Sequence, residues 1–420
     1  LANNKQVLFL SYDGMTDPLG QSQVLPYLSG LRKKGYEITL VSFEKPERAS
    51  QTELISQICA EQGIDWQPLN YTRKPPVLST MKDVRAMKKT AQHLHLQKNF
   101  DLVHCRSYIA ALAGLWMKKK FGIPFIFDMR GFWADERVDG GLWSRSNPIF
   151  SKVYDYFKGK EKQFLEQSAA IVSLTHAAAD EIGNWPLARH TPIDVIPCCV
   201  DTKLFDPGSV SPARQKSLKD ELDIPEETCV LGYVGSLGTW YQLPEMLQFF
   251  RVWKSRRPDS LMLFVTTEPA SMILEEADRQ GLDASDFRIV SAGRKEVPVY
   301  LSLMDYGLFF LKQAFSKMAS SPVKQGEMMA MGIPVICNAG VGDSDRIVTQ
   351  YQAGVLVKDY SDADFEAALD ELQTRDFDPA AIREGCLDYF DLQQGVERYA
   401  GIYERLTAPV ETEHALSEIV

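Results

Sequence analysis

The stretch Ser321-Pro322-Val323-Lys324-Gln325-Gly326-Glu327 sets a lysine and a glutamate three residues apart at what reads as the start of a helix. Ser321 suits an N-cap and Pro322 the first helical position, because the ring presets φ and lacks an N–H that would go unpaired there. The next N–H groups then point outward with the positive end of the helix dipole behind them, a setting that binds phosphate. Lys324 adds a full charge where a cation is unfavourable unless an anion or an acid is near. Glu327 falls on the same face, about 4.5 Å further along the axis. A carboxylate there can accept from the vicinal hydroxyls of a ribose whose pyrophosphate rests at the helix start. On spacing alone, a capped helix in which Lys324 and Glu327 pair with each other is the competing reading.

Two other places carry chemistry. The apolar run ending at Val234 enters Gly235-Ser236-Leu237-Gly238, where Gly235 and Gly238 let the backbone approach a pyrophosphate and Ser236 adds a neutral donor. Phe125-Ile126-Phe127 runs into Asp128-Met129-Arg130-Gly131, and charged residues crowded at the carboxyl end of a buried strand are where open α/β sheets bind ligands; a salt-bridged loop is the plainer alternative. Asp343-Ser344-Asp345 imitates a metal-binding Asp-x-Asp but follows Val341-Gly342 and opens a helix, so it reads as an N-cap and first-turn acid. The seven cysteines show no C-x-x-C spacing, which argues against zinc and for reduced thiols in the cytosol.

The elements that must hold these residues alternate strand and helix. Val7–Leu10, Ile38–Ser42, Leu102–His104, Phe125–Phe127 and Ala170–Leu174 read as buried parallel strands in the first half. Leu261–Val265, Arg288–Val290, Tyr306–Leu311 and Ile333–Ile336 do so in the second. His104 reads as a strand-end residue without a catalytic task. The opening βαβ unit lacks G-x-G-x-x-G, so a dinucleotide site is disfavoured. At 420 residues two domains are expected, and a net charge of −10 argues against nucleic acid as a partner. No run is long enough to span a membrane, Leu1 to Lys5 lack a signal-peptide core, and a start at Leu1 suggests a processed, truncated or engineered terminus. Lys82, Arg85, Lys88 and Lys89 form one basic helical face, read as a solvated surface with membrane contact as the alternative.

Ser-Pro-x-Lys-x-x-Glu followed by Gly332-Ile333-Pro334-Val335-Ile336 resembles the donor-binding helix of retaining GT-B glycosyltransferases of family 4. The resemblance covers nearly the whole chain. It implies an α/β protein of two Rossmann-like, doubly wound parallel-sheet domains with a cleft between them. In the family a Glu-x7-Glu pair brackets this helix and the second Glu holds the ribose; Glu327 fits it, whereas the first position is Ala319, a departure. The resemblance also puts Gly14 and Gly20 of the first loop at the cleft, Arg294 in a loop that meets the base, and Asp128 and Arg130 where many members have a His. The family's hinge Ile-Pro-Asn-Gly-Val-Asp is similar to Ile196-Pro197-Cys198-Cys199-Val200-Asp201, with Asn-Gly replaced by two cysteines. The Arg and Lys usual after the glycine-rich strand are missing, which leaves Lys324 as the cation for the leaving diphosphate.

The implied domains are 1–200 for the acceptor, 201–390 for the nucleotide-sugar donor, a helix at 391–406 crossing back, and a polar tail at 407–420. The implied activity is retaining, metal-independent transfer from a nucleotide-diphosphate sugar, uridine-type favoured over guanosine-type, to a glycan or lipid-linked acceptor in polysaccharide or glycoconjugate synthesis. Asp128, Arg130 and Lys324 are the expected catalytic residues. Gly14, Gly20, Gly235, Ser236, Gly238, Arg294, Ser321, Lys324 and Glu327 are the expected donor-binding residues, with no cofactor beyond the donor. The expected location is the cytoplasm, with peripheral contact at the inner membrane face as an option. A nucleotide-sugar 2-epimerase of the same fold and a non-catalytic GT-B partner are the rival readings.

Overall fold

Alternation of short apolar runs with amphipathic helices leaves each strand buried on both faces, which requires parallel sheets covered by helices on either side. The computed structural model describes residues 5–186 and 190–408 and has that architecture. The first strands are β1 (Gln6–Ser11), β2 (Glu37–Glu44), β3 (Asp65–Asn70), β4 (Leu102–Arg106), β5 (Phe125–Asp128), β6 (Ala170–Ser173) and β7 (Ile193–Val195), in the sheet order β3-β2-β1-β4-β5-β6-β7. The second set comprises β8 (Val230–Val234), β9 (Leu261–Val265), β10 (Phe287–Val290), β11 (Tyr306–Phe309), β12 (Val335–Asn338) and β13 (Gly354–Val357), ordered β10-β9-β8-β11-β12-β13. The named strands pair in parallel throughout, from Val7 beside Ile38 to Val335 beside Gly354. In each sheet the strand order reverses once, between β1 and β4 and between β8 and β11, and the crevice at such a reversal is where ligands bind.

The chain passes between the halves twice, side by side. Val200 N–H donates to Phe390 O at 2.7 Å and Leu392 N–H to Val200 O at 3.0 Å. The Leu392–Thr407 helix then buries Val396, Tyr399, Ile402 and Tyr403 among Val7, Leu28 and Ile126 of the first half. A Cβ on Gly30 would lie 2.5 Å from Val396 Cγ2, so this packing depends on a missing side chain. Cys198 and Cys199 occupy the hinge without positive φ, so the turn does without the left-handed conformation a glycine would permit. All seven cysteines are unpaired. Among the described residues no helix is long and apolar enough to cross a membrane. Leu1 to Asn4, and the expected tail from 409 onward, lie outside the described residues.

Candidate active site

The helix carrying Lys324 runs Val323–Ala330, with Pro322 at its N-cap position and no side-chain cap. This corrects the expectation for Ser321. Its Oγ accepts from Cys198 N–H at 3.1 Å and so ties the helix start to the hinge instead of capping the helix. Gln325 N–H already donates to Pro322 O at 3.1 Å, so the N–H groups of Val323 and Lys324 ahead of it are the first-turn donors left for a ligand.

Lys324 is buried beside them. Its Nζ lies 3.4 Å from the ring centre of Tyr241 and 3.7 Å from that of Tyr233, and it has no hydrogen-bond partner among the described residues. The nearest glycine is Gly235, at φ +101°, where an added Cβ would sit 3.6 Å from Nζ. Burial pushes the amine well below the ordinary lysine range, and the nearby charge of Glu327 offsets this only in part. Lys324 and Glu327 do not pair. Glu327 instead takes Arg294 Nη1 on Oε1 at 2.9 Å, while burial raises its carboxyl and Arg294 opposes the rise. A buried amine without an anion, held between two aromatic rings and facing a glycine backbone, is a site where a negatively charged ligand would restore the charged form. Ser236 and Gly238 are exposed on the same turn, Gly238 at φ +51°.

In the first half, Asp128 and Arg130 stand at the end of β5 as expected, but beneath the surface. Asp128 is 3% exposed; its Oδ2 accepts from Tyr399 Oη at 3.1 Å and faces His104 Nε2 at 3.4 Å, while Oδ1 lies 3.8 Å from Arg130 Nη1. Burial alone would raise this carboxyl, but Arg130 and His104 outweigh it and hold it below the usual range. Arg130 Nη2 reaches Cys198 Sγ at 3.3 Å. His104 is 1% exposed, with Nδ1 2.8 Å from Tyr403 Oη, and burial keeps it neutral more readily than a free histidine. Asp128 thus anchors Arg130 and the crossing helix to the hinge.

The first loop is braced from below. Glu44 accepts from Met15 N–H and Thr16 N–H, both at 2.9 Å, and from Thr16 and Ser42 hydroxyls at 2.6 Å. A Cβ on Gly14 would come within 2.7 Å of Phe43 O, and one on Gly20 within 2.3 Å of Gly14 O. Both glycines therefore shape the loop by close packing.

Several contributors were missed in the sequence. Tyr233 and Tyr241 flank Lys324; Tyr241 is visible as the aromatic after the glycine turn. Lys317, 4% exposed, bridges the cleft to Glu136 at 2.8 Å with Nζ 3.5 Å from the Trp240 ring centre. Ala319, at the position expected to carry the first Glu, is buried with its carbonyl facing Gly131. Asp343 stands at the N-cap position of its own helix without capping it by a side-chain hydrogen bond: its carboxylate accepts from His176 N–H at 2.6 Å and Ala177 N–H at 3.0 Å, at the start of a helix in the other half. Asp345 accepts from Gly340 N–H at 3.0 Å. No group of three or more metal-ligating side chains converges among the described residues.

The family model for Glycosyltransferase Family 4 matches residues 22–204, and that for Glycosyl transferases group 1 matches residues 214–384. A curated relative, D-inositol 3-phosphate glycosyltransferase of Stackebrandtia nassauensis, is 23% identical over 69% of this chain and 64% of its own length, so the chain spans less than two thirds of that relative. Among solved structures, a glycosyltransferase from Rickettsia africae superposes with a TM-score of 0.71 at 14% identity, covering 97% of this chain and 99% of that one. The Anabaena protein Alr3699/HepE, crystallised with UDP and glucose, does so at 0.67 and 13%, covering 96% and 100%.

Proposed function

We propose that this chain, a glycosyltransferase of the GT-B fold, moves a sugar with retention from a uridine-type nucleotide sugar to a glycan or lipid-linked acceptor, without a metal ion. The observation that carries this is the unpartnered, buried Lys324 amine at the start of the Val323–Ala330 helix, facing Gly235. A diphosphate placed there meets the first-turn N–H groups and one ammonium, while a ribose one turn on meets Glu327. UDP and glucose in the structurally similar Anabaena protein support the choice of donor.

The acceptor hydroxyl attacks the anomeric carbon as its bond to the β-phosphate oxygen breaks. The departing oxygen takes the acceptor proton, so no protein base is required. What the enzyme supplies is stabilisation of charge on the leaving diphosphate by fixed N–H dipoles and Lys324. Buried Ala319 offers no carboxylate, and Lys317 is a second cation near the same cleft. Asp128 orients Arg130 and touches no open space, so its role is positioning. The epimerase reading needs an imidazole in the cleft; His104 is sealed between Asp128 and Tyr403, which leaves it His176, where the two halves meet.

A panel of nucleotide sugars, assayed for release of nucleoside diphosphate with and without lipid-linked glycan acceptors, tests the reading. Release that rises with acceptor, favours uridine donors and persists in excess chelator is expected. A restorable requirement for magnesium or manganese would contradict metal independence, and donor conversion without acceptor would favour epimerisation. Glu327→Ala should weaken uridine diphosphate and uridine alike, by about 1.5–3 kcal/mol, because the lost contact is to the ribose. Calorimetry reads the two ligands separately; a loss confined to the diphosphate would move Glu327 off the ribose.

A further inference from the structure

The reversal in the first sheet has its own crevice. A cavity of about 720 Å³ opens where β1 and β4 end, bounded by Asp13 after β1 and by Arg106 and Ser107 at the end of β4. Six of its lining side chains are cationic, Arg73, Arg85, Lys88, Arg106, Arg137 and Lys152, against one carboxylate, Asp13. In a protein of net charge −10 that is a local inversion.

Arg106 is 3% exposed. Its Nε lies 3.4 Å from Asp13 Oδ2, yet Nε and Nη1 have no hydrogen-bond partner among the described residues. A guanidinium hidden from water with open donors is costly unless an anion meets it. Ser107, at φ +68°, begins the Ser107–Phe121 helix beside it and lines the cavity, so the positive end of that helix lies at the same crevice. Arg73, Arg85, Lys88 and Lys152 have no carboxylate partner among the described residues, and Lys88 is further pushed toward neutrality by burial and by Lys160. An anion would relieve this crowding.

The walls are aromatic, with Tyr71 and Trp133 inside. The mouth is apolar and open to solvent: Met81 is 47% and Tyr156 51% exposed on the lining, with Leu78 at 63% and Ile149 at 65% next to it in the chain. Trp133 opens the Trp133–Asp139 helix, whose Glu136 pairs with Lys317 of the donor half, so the cavity's inner wall borders the cleft.

We propose that this cavity seats the acceptor, and that the acceptor is a phosphate-bearing amphiphile: its phosphate lies on Arg106 and the Ser107 helix start, and its apolar chain leaves past Met81 and Tyr156 toward a membrane surface. The assignment deepens the glycosyl-transfer reading and rests on it for the acceptor role. Charge complementarity selects the phosphate, and the exposed apolar mouth selects the chain.

Binding of three probes to the full chain, each below its micelle concentration, tests the proposal: dodecyl phosphate, dodecyl maltoside and glucose 1-phosphate, with uridine diphosphate as a control ligand. Dodecyl phosphate should bind about tenfold or more tighter than either other probe. Arg106→Gln should weaken it about tenfold, the loss of one charge-assisted contact. The pair Arg85→Gln/Lys88→Gln, on the exposed Arg85 and the half-buried Lys88 outside the core, should weaken it severalfold, and uridine diphosphate affinity should hold in both variants. Equal binding of dodecyl maltoside would overturn the phosphate assignment, and equal binding of glucose 1-phosphate the amphiphile. Insensitivity of dodecyl phosphate to Arg85→Gln/Lys88→Gln and to folded Arg106→Gln would overturn the site. If dodecyl phosphate behaves as expected while uridine diphosphate fails to bind the parent, the donor assignment falls and the anion-binding cavity stands.

Discussion

Replacement of Lys324 by methionine is expected to weaken nucleoside diphosphate binding by about 1.5–3 kcal/mol while raising the melting temperature of the ligand-free protein. The two effects share one cause. In the empty site the amine is buried between Tyr233 and Tyr241 without an anion, and methionine keeps much of its volume without its desolvation cost. The folded-state amine titrates below the unfolded value, so the unfolded chain holds more protons and this group's contribution to stability rises with pH toward the ordinary lysine range. Lys324→Met should flatten that rise. Diphosphate binding supplies the missing negative charge, draws the amine back to its charged form, and should therefore take up protons in the parent but less in the variant. Calorimetry in buffers of different ionisation enthalpy measures the uptake. A variant that binds nucleoside diphosphate like the parent would make Lys324 a packing residue.

The second large effect is on stability. Asp128→Ala is expected to cost about 3–5 kcal/mol, because it strands Arg130, whose side chain is 9% exposed, without its counterion and removes the acceptor for Tyr399. Asp128→Asn keeps the shape and an acceptor and should be milder in stability. In both variants transfer should fall more than nucleotide affinity, since the network lies in the half opposite the donor helix. The pH dependence has a definite sign. The carboxyl titrates below its unfolded value of 3.8, so its contribution is full above that pH and is lost as the pH falls through the depressed folded value. The histidine adds in the same direction from a higher pH: its folded-state value lies below 6.5, so stability declines as the pH drops beneath the unfolded value. Denaturant titrations of parent and variants across this range check both. A fully stable Asp128→Ala would show that Arg130 finds another partner.

What was legible in the sequence was whatever depends on short-range pattern. The continuous apolar strands follow the sequence pattern, and the Ser-Pro-x-Lys-x-x-Glu segment does open a helix, one residue later than Ser321 and Pro322 imply, because a strand buried on both faces and a proline at a helix start announce themselves locally. β3 carries no strand signal in the sequence, since Asp65–Asn70 is polar and carries Pro68, which only an edge strand tolerates. β7 was absorbed into the hinge reading because it is three residues long. The partners of charged groups were the least legible. Glu327 pairs with Arg294 across 33 residues and Asp343 caps a helix 167 residues away, contacts that only the folded arrangement creates. For the same reason Asp128 looked like a cleft residue: its sequence neighbours do not reveal that Tyr399, 271 residues on, covers it.

The central claim is that the donor's diphosphate rests on Lys324 at the start of the Val323–Ala330 helix. A crystal structure of the protein with uridine diphosphate tests it most directly. Phosphate oxygens should lie within hydrogen-bond distance of Lys324 Nζ and of the first-turn N–H groups, backed by the Gly235 turn, with the ribose hydroxyls on Glu327. A nucleotide bound elsewhere, with Lys324 still enclosed by its two tyrosines, would contradict it.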